Sequence, residues 1–267
     1  MSESLGLIVA APGRAGGAIA LAAEVAGHDL IGVISRTGAF AGRFRQLPYD
    51  RELPSADLLI IATPDDHIEP TATRLAPFAT GVAGTVHLSG FKPVEALGAM
   101  ARVGIPTGSF HPLQSLPDPH DGAGSLAGAW AGVTAPQPLF GVLSAFALSL
   151  EMIPFRLLDS AKPLYHAGAS AASNYLVAAL DLAASLLESA AVPFEALAPL
   201  ARTAVANAFS EGPRRALTGP IARGDWDTVR GQFQAVAALK SDRAGQFRLM
   251  AAATAITAGQ PLPEDLE

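Results

Sequence analysis

Apolar residues fall in short continuous runs over the first part of the chain and in helix-spaced stripes over the second. Leu5 to Ala10, His28 to Ser35, Ala56 to Ala62, Gly84 to Leu88 and Ile105 to Phe110 are the runs, rich in Leu, Ile and Val. Such runs, bounded by Gly, Pro, Ser and Asp, predict strands. Helices are expected between them, at Ala15 to Ala26, closed by Gly27, and from about Pro93 to Arg102. Repeated alternation of strand and helix implies right-handed crossovers and a doubly wound α/β sheet. Trp130 to Thr134 and Ile153 to Leu158 read as further strands flanking a helix at Leu139 to Leu150, while Asp118 to Gly128, rich in Asp, Pro and Gly, reads as a loop. After Asp159 the strand patterns stop. Helices are expected over about Pro163 to Ala190, Pro193 to Ala208, Trp226 to Lys240 and Ala244 to Ala258. The organisation expected is an α/β domain over residues 1–158 and an all-helical domain over 159–267.

Composition narrows the function classes. At 267 residues the chain has room for a substantial core, and half of it is hydrophobic, mostly through alanine. Mean hydropathy is +0.32. The most apolar stretches, Leu139 to Leu150 and Ala167 to Leu187, are respectively too short for a bilayer and interrupted by Ser170, Ser173, Asn174 and Asp181, so buried helices are expected there. The N-terminus has no signal-peptide pattern, which makes a cytoplasmic location and no membrane association the expectation. There is no cysteine, hence no disulfide, thiolate catalysis or thiolate-bound metal. His28, His67, His87 and His120 lie on separate segments without ligand spacing, so no metal site is expected. A net charge of -6 with scattered Lys and Arg offers nucleic acid no basic face. A small molecule is the expected partner.

The first strand breaks into Ala11-Pro12-Gly13-Arg14-Ala15-Gly16, the pattern G-x-G-x-x-G with alanine at the first glycine. Gly13 would admit a pyrophosphate close to the backbone, and Gly16 would let the helix pack close to the strand. The helix start favours the phosphates. The second strand ends in Ser35-Arg36, with Arg43 and Arg45 following and no carboxylate before Asp50. An acidic residue there would hold a ribose 2′-hydroxyl, whereas arginine accommodates a 2′-phosphate, so NADP is the expected cofactor. Thr63, Pro64, Asp65 and Ser89 close the next two strands and complete the candidate cofactor site. His111 and Gln114 follow the fifth strand on the same rim.

Lys162, His166, Ser170 and Ser173 share one face at ~100° per residue, with Asn174 at its border. That face is short and mainly neutral, unlike the long charged side chains of a solvated one, and a ligand cleft is the reading favoured for it. Lys162, His166 and His111 are the candidate catalytic residues. A lysine among alanines has its charge disfavoured, and either histidine could carry a proton. Ser173, Asn174 and Gln114 suit a carbonyl or carboxylate, and Arg223 suits a carboxylate or phosphate. Asp225 is the expected N-cap of the helix from Trp226.

HPLQS at His111 to Ser115, K-x-x-YHAG at Lys162 to Gly168, SNYL at Ser173 to Leu176 and LTGPIARGD at Leu217 to Asp225 resemble a bacterial family with a Rossmann-like domain and the helical domain of unknown function 2520. The resemblance implies the wider superfamily of 6-phosphogluconate dehydrogenase-like, pyrroline-carboxylate reductase and ketopantoate reductase proteins. It further implies NADP in an interdomain cleft and a homodimer through the helical domain. The expected function is NADP-dependent reduction of a small keto or imino acid. A non-catalytic NADP sensor or scaffold and, more narrowly, a ketopantoate reductase are the alternatives.

Overall fold

The computed structural model describes residues 4–239 and 243–266. Lys240, at the end of one expected helix, lies outside the described residues. The chain divides into two compact units, residues 1–170 and 171–267. The division falls after the texture change at Asp159, because the first turns of the long helix that begins there pack with the sheet unit.

All seven expected strands form in the first unit: β1 (Gly6–Ala10), β2 (Asp29–Ile34), β3 (Leu58–Ile61), β4 (Thr85–His87), β5 (Thr107–Leu113), β6 (Trp130–Thr134) and β7 (Ile153–Arg156). They make one sheet in the order β2-β1-β3-β4-β5-β6-β7. Pairing is parallel except between β5 and β6. The helices are α1 (Arg14–Val25), α2 (Ile68–Leu75), α3 (Gly98–Arg102), α4 (Pro119–Gly124), α5 (Leu139–Ser149) and α6 (Lys162–Ser170). The architecture is a Rossmann-type doubly wound sheet. The chain order reverses direction between β1 and β3, and open α/β sheets bind ligands outside the carboxyl ends of their strands at such a switch point.

The uninterrupted apolar runs have a simple cause. In β1, Leu7 and Val9 face one core and Ile8 and Ala10 the other; in β3, Leu58 and Ile60 oppose Leu59 and Ile61 in the same way. Both faces of a parallel sheet are covered, so neither face of these strands is polar. α1 and α5 close one face, α2 and α3 the other. Each fully buried Leu or Ile contributes about 1.5–3 kcal/mol.

Two local readings change. Asp118 to Gly128 is not all loop: Asp118 accepts hydrogen bonds from His120 N and Asp121 N and so caps α4. The stretch from Pro93 to Arg102 is not one helix but a 3₁₀ turn, Val94–Leu97, running into the single turn of α3.

The second unit contains α7 (Leu176–Ser189), α8 (Ala198–Glu211), α9 (Pro213–Ala216), α10 (Pro220–Arg223), α11 (Trp226–Ala238) and α12 (Arg243–Ala258). A π-helical turn, Ala171–Tyr175, precedes α7. Ile221, Val229, Ala251, Ala255 and Leu266 form its buried cluster. Ion pairing of Arg243 with Asp181 at 2.8 Å ties α12 to α7. Asp225 caps α11 as expected, accepting from Thr228 N. The helix from Asp159 to Ser189 is not buried as expected: it is long and apolar enough to cross a membrane by length and composition, and only 6% of its most apolar window is buried. Phe209 is 87% exposed and Leu200 67%.

Ala11 stands at φ +58°, the left-handed region that the missing glycine of the turn would occupy without cost. Ala11→Gly is expected to raise the unfolding free energy by about 0.5–1 kcal/mol, because release of that strain outweighs the added freedom of the unfolded chain. Urea denaturation at neutral pH checks this; an unchanged or lower midpoint would show the turn to be unstrained.

Candidate functional site

The turn after β1 opens onto a cavity of about 330 Å³. Ala11, Pro12 and Gly13 line one side, Ser35, Arg36 and Thr37 another, and Thr63 and Pro64 the third. The two glycines act as their spacing suggests. A Cβ on Gly13 would meet nothing nearer than Ala11 O at 4.0 Å, which leaves the turn open to a ligand. One on Gly16 would sit 2.5 Å from Ala62 Cβ, so α1 approaches β3 only because that side chain is missing. Gly13 is the N-cap of α1 and supplies no side-chain hydrogen bond, and no acidic residue occupies the first turn. The first N–H groups of a helix have no intrahelical acceptor, so this end presents bare donors and the positive end of the dipole. Thr63 Oγ1 is buried without a partner beside the cavity.

The expected cofactor residues do not all reach the cavity. Arg14, Ala15, Gly16, Asp65 and Ser89 lie outside the lining. Asp65 opens an exposed 3₁₀ turn. Ser89 Oγ is occupied in folding its own loop, accepting from Phe91 N at 3.1 Å and Lys92 N at 2.9 Å. Arg43 pairs with Glu24 at 2.6 Å, and neither it nor Arg45 lines the cavity. Tyr49, His67, Thr71 and Arg74, which sequence reading did not single out, do line it. Ile68, Ala72 and Leu75 carry the buried stripe of α2. That stripe was legible and puts Thr71 and Arg74 off the core, but which ligand-facing wall they join was not. No carboxylate among the described residues lines the cavity.

A second cluster stands at the carboxyl ends of β4 and β5. Tyr165 Oη lies 2.7 Å from His111 Nδ1, and their rings meet edge to face. Burial pushes the Tyr165 phenol up to about 12, so it keeps its hydrogen at neutral pH and can donate it to His111 Nδ1. The other nitrogen, Nε2, then carries the hydrogen. Burial first, then the His166 and Lys162 charges, hold the His111 pKa down to about 4, so it is neutral at neutral pH. His166 lies 6.2 Å from His111 and 6.0 Å from Phe91 between ring centroids. Gly90 packs flat on His111, since a Cβ there would be 2.8 Å from the ring.

Lys162 is fully buried. Its ammonium donates to Asp159 Oδ1 and to Lys92 O, each at 2.8 Å. The Asp159 carboxylate also accepts from Val94 N at 3.2 Å. Burial lowers the Lys162 pKa and Asp159 opposes the shift. The lysine therefore ties the start of α6 to the loop after β4 rather than reaching a ligand. Gln114 is likewise committed locally, donating to Ser125 O at 3.0 Å and accepting from Ser115 N at 2.8 Å.

The shared face on the long helix is interrupted. Ser173 and Asn174 fall in the π-helical turn, so a constant advance per residue from Lys162 does not carry through to them. Both are exposed in the second unit, with Ser173 Oγ 3.4 Å from Asn174 Oδ1. Arg223 ends the one-turn α10, also exposed. Among the described residues no group of three metal-ligating side chains occurs.

Comparison with known proteins extends this picture. Residues 129–254 match the DUF2520 family model, a domain of unknown function. The DUF2520 region thus includes Lys162, Tyr165, His166, Ser173, Asn174 and Arg223. A Bacteroides fragilis protein provisionally described as an NADP oxidoreductase superposes with a TM-score of 0.81 at 19% identity, covering 94% of this chain and 98% of that one. A Thermotoga maritima protein gives 0.71 at 19% identity, covering 95% and 98%. Pyrroline carboxylate reductase from Plasmodium falciparum, solved with NADP bound, gives 0.60 at 11% identity, covering 97% and 100%. At these identities the likeness establishes the fold. No curated protein matches the chain.

His87, fully buried beside Ser109 on the adjoining strand, has its pKa lowered to about 3 by burial and by the Lys162 charge. The unfolded chain takes up this proton below about 6.5 while the folded chain does not until about 3. Its contribution is complete above 6.5 and is lost as pH falls through that window, with a slope approaching about 1.4 kcal/mol per pH unit. Urea midpoints at pH 7, 6 and 5 should fall more steeply for the wild type than for His87→Asn; parallel profiles would show that folding leaves the pKa of this histidine unchanged.

Proposed function

We propose that the protein is an NADP-dependent oxidoreductase that reduces a small keto or imino acid. The observation carrying this reading is the cavity at the end of α1, where bare helix N–H groups, an unobstructed Gly13 and two arginines meet without a carboxylate. A pyrophosphate suits the helix end, and the adenosine half suits the cavity over β2. The remaining half of a dinucleotide would extend toward the ends of β4 and β5, where His111, Tyr165 and His166 stand.

A bound nicotinamide would supply the hydride; the chain supplies orientation and a hydrogen bond to the atom that gains negative charge. His111 is held by Tyr165 and is neutral at neutral pH; in the tautomer that accepts at Nδ1, its Nε2–H is the donor. His166 stands beside it, its ring edge to face with Phe91. Lys162 is a positioning residue in this reading.

Purified protein should shift and enhance NADPH fluorescence at micromolar concentrations, and a panel of 2-oxo and cyclic imino acids should contain a substrate consuming NADPH. His111→Ala is expected to lower that turnover by about 10²-fold or more with NADPH affinity kept. Absence of NADPH binding overturns the reading, and binding without turnover of any panel member favours a sensor.

We further propose that a second copy of the chain covers the apolar surface of the helical unit. Burying side chains such as Phe209 and Leu200 is worth about 1.5–3 kcal/mol each. Light scattering should return twice the 27.3 kDa chain mass, and Phe209→Glu should shift the population toward the single chain. A monomeric wild type, or one that partitions into lipid vesicles, would overturn this.

A further inference from the structure

The cavity over β2 contains a cation that the end of that strand does not supply. Arg74, in the last turn of α2, lays its guanidinium over the Tyr49 ring, 4.8 Å from the centroid. Tyr49 is half-buried and packs against the core beneath α2. The stack holds the guanidinium plane in place and leaves its edge N–H groups open to the cavity: among the described residues neither Arg74 nor Arg36 makes an ion pair. Both line the cavity. Elsewhere in this unit Arg43 pairs with Glu24, and Arg156 covers the Phe140 ring while donating to Ala135 O. Two unneutralised guanidinium groups facing one cavity without a carboxylate repel each other, an arrangement stabilised by an anion between them.

We propose that Arg74, held by Tyr49, is a second determinant of cofactor choice and binds the 2′-phosphate of NADP together with Arg36. This rests on the dinucleotide-binding reading above. Arg36 comes from the segment after β2 and Arg74 from α2, so the phosphate is gripped from two elements. A planar fork already oriented by an aromatic ring loses little freedom on binding a phosphate. Tyr49 acts through Arg74 and is a positioning residue.

Dissociation constants of NADPH and NADH for the wild type, Arg74→Ala, Tyr49→Ala and Arg36→Ala decide the matter, with NADH binding serving as the control for folding. Arg74→Ala is expected to weaken NADPH by about tenfold or more, as loss of a hydrogen bond to a charged group does, and NADH by less than about threefold. Arg74→Lys should recover part of the loss, and Tyr49→Ala should show a milder version of the same NADPH-selective effect. Equal weakening of both coenzymes by Arg74→Ala would assign Arg74 to the adenine ring and overturn the proposal, as would no change in either. If the wild type binds NADH and NADPH equally well, 2′-phosphate recognition fails while dinucleotide binding stands. If it binds neither, the dinucleotide reading falls first.

Discussion

The ion pair of Lys162 with Asp159 is the constraint on which the candidate site depends. A charge out of water costs several kcal/mol unless its hydrogen bonds are met, and removing one partner of such a pair typically costs about 3–5 kcal/mol. Here the ammonium is met by Asp159 and by the Lys92 carbonyl, and the carboxylate is met in turn by Val94 N. These bonds join the start of α6 to the loop after β4. One turn along, Tyr165 is brought to His111, and Phe91 from the same loop to His166. The chemistry assigned to the imidazoles is thus fixed in position by a lysine that has no access to a ligand.

A second constraint operates at the other end of the rim. Close approach of α1 to β3 requires Gly16, and the open turn requires Gly13, yet the first glycine of the pattern is replaced by Ala11 in a left-handed conformation. The backbone takes the left-handed course that a first glycine would allow at a local cost of about 1 kcal/mol. The geometry of this turn is therefore dictated by the strand and helix it joins. Local propensity loses to tertiary packing.

The two units divide their apolar residues differently. In the sheet unit Leu, Ile and Val vanish into two cores, whereas the helical unit buries a small cluster and leaves Phe209, Leu200 and Leu249 largely exposed. Helices whose apolar side chains find no partner within their own chain are marginal by themselves, since most helical stability in proteins comes from packing. A second copy of the chain would supply that packing.

The sequence by itself determined the seven strands, the glycine turn after the first of them and the helical character of the second half, because apolar period and glycine spacing are local properties of the chain. His111 and His166 were legible as candidates for the same reason: one follows an apolar run, though β5 extends past it to Leu113, and the other lies on a helix. What only the tertiary structure decided was how side chains distant in sequence are used. Lys162 looked available until Asp159 and the Lys92 carbonyl were seen to hold it, and Gln114 and Ser89 until their own loops claimed them. Tyr165 was given no catalytic proton and Arg74 no role, because their partners, His111 and Tyr49, are brought to them only by folding. The π-helical turn at Ala171–Tyr175 changed which residues share a face with Lys162, and nothing in a constant helical period announces such a turn. Local pattern specifies elements; the competition of polar groups for partners across elements assigns their side chains.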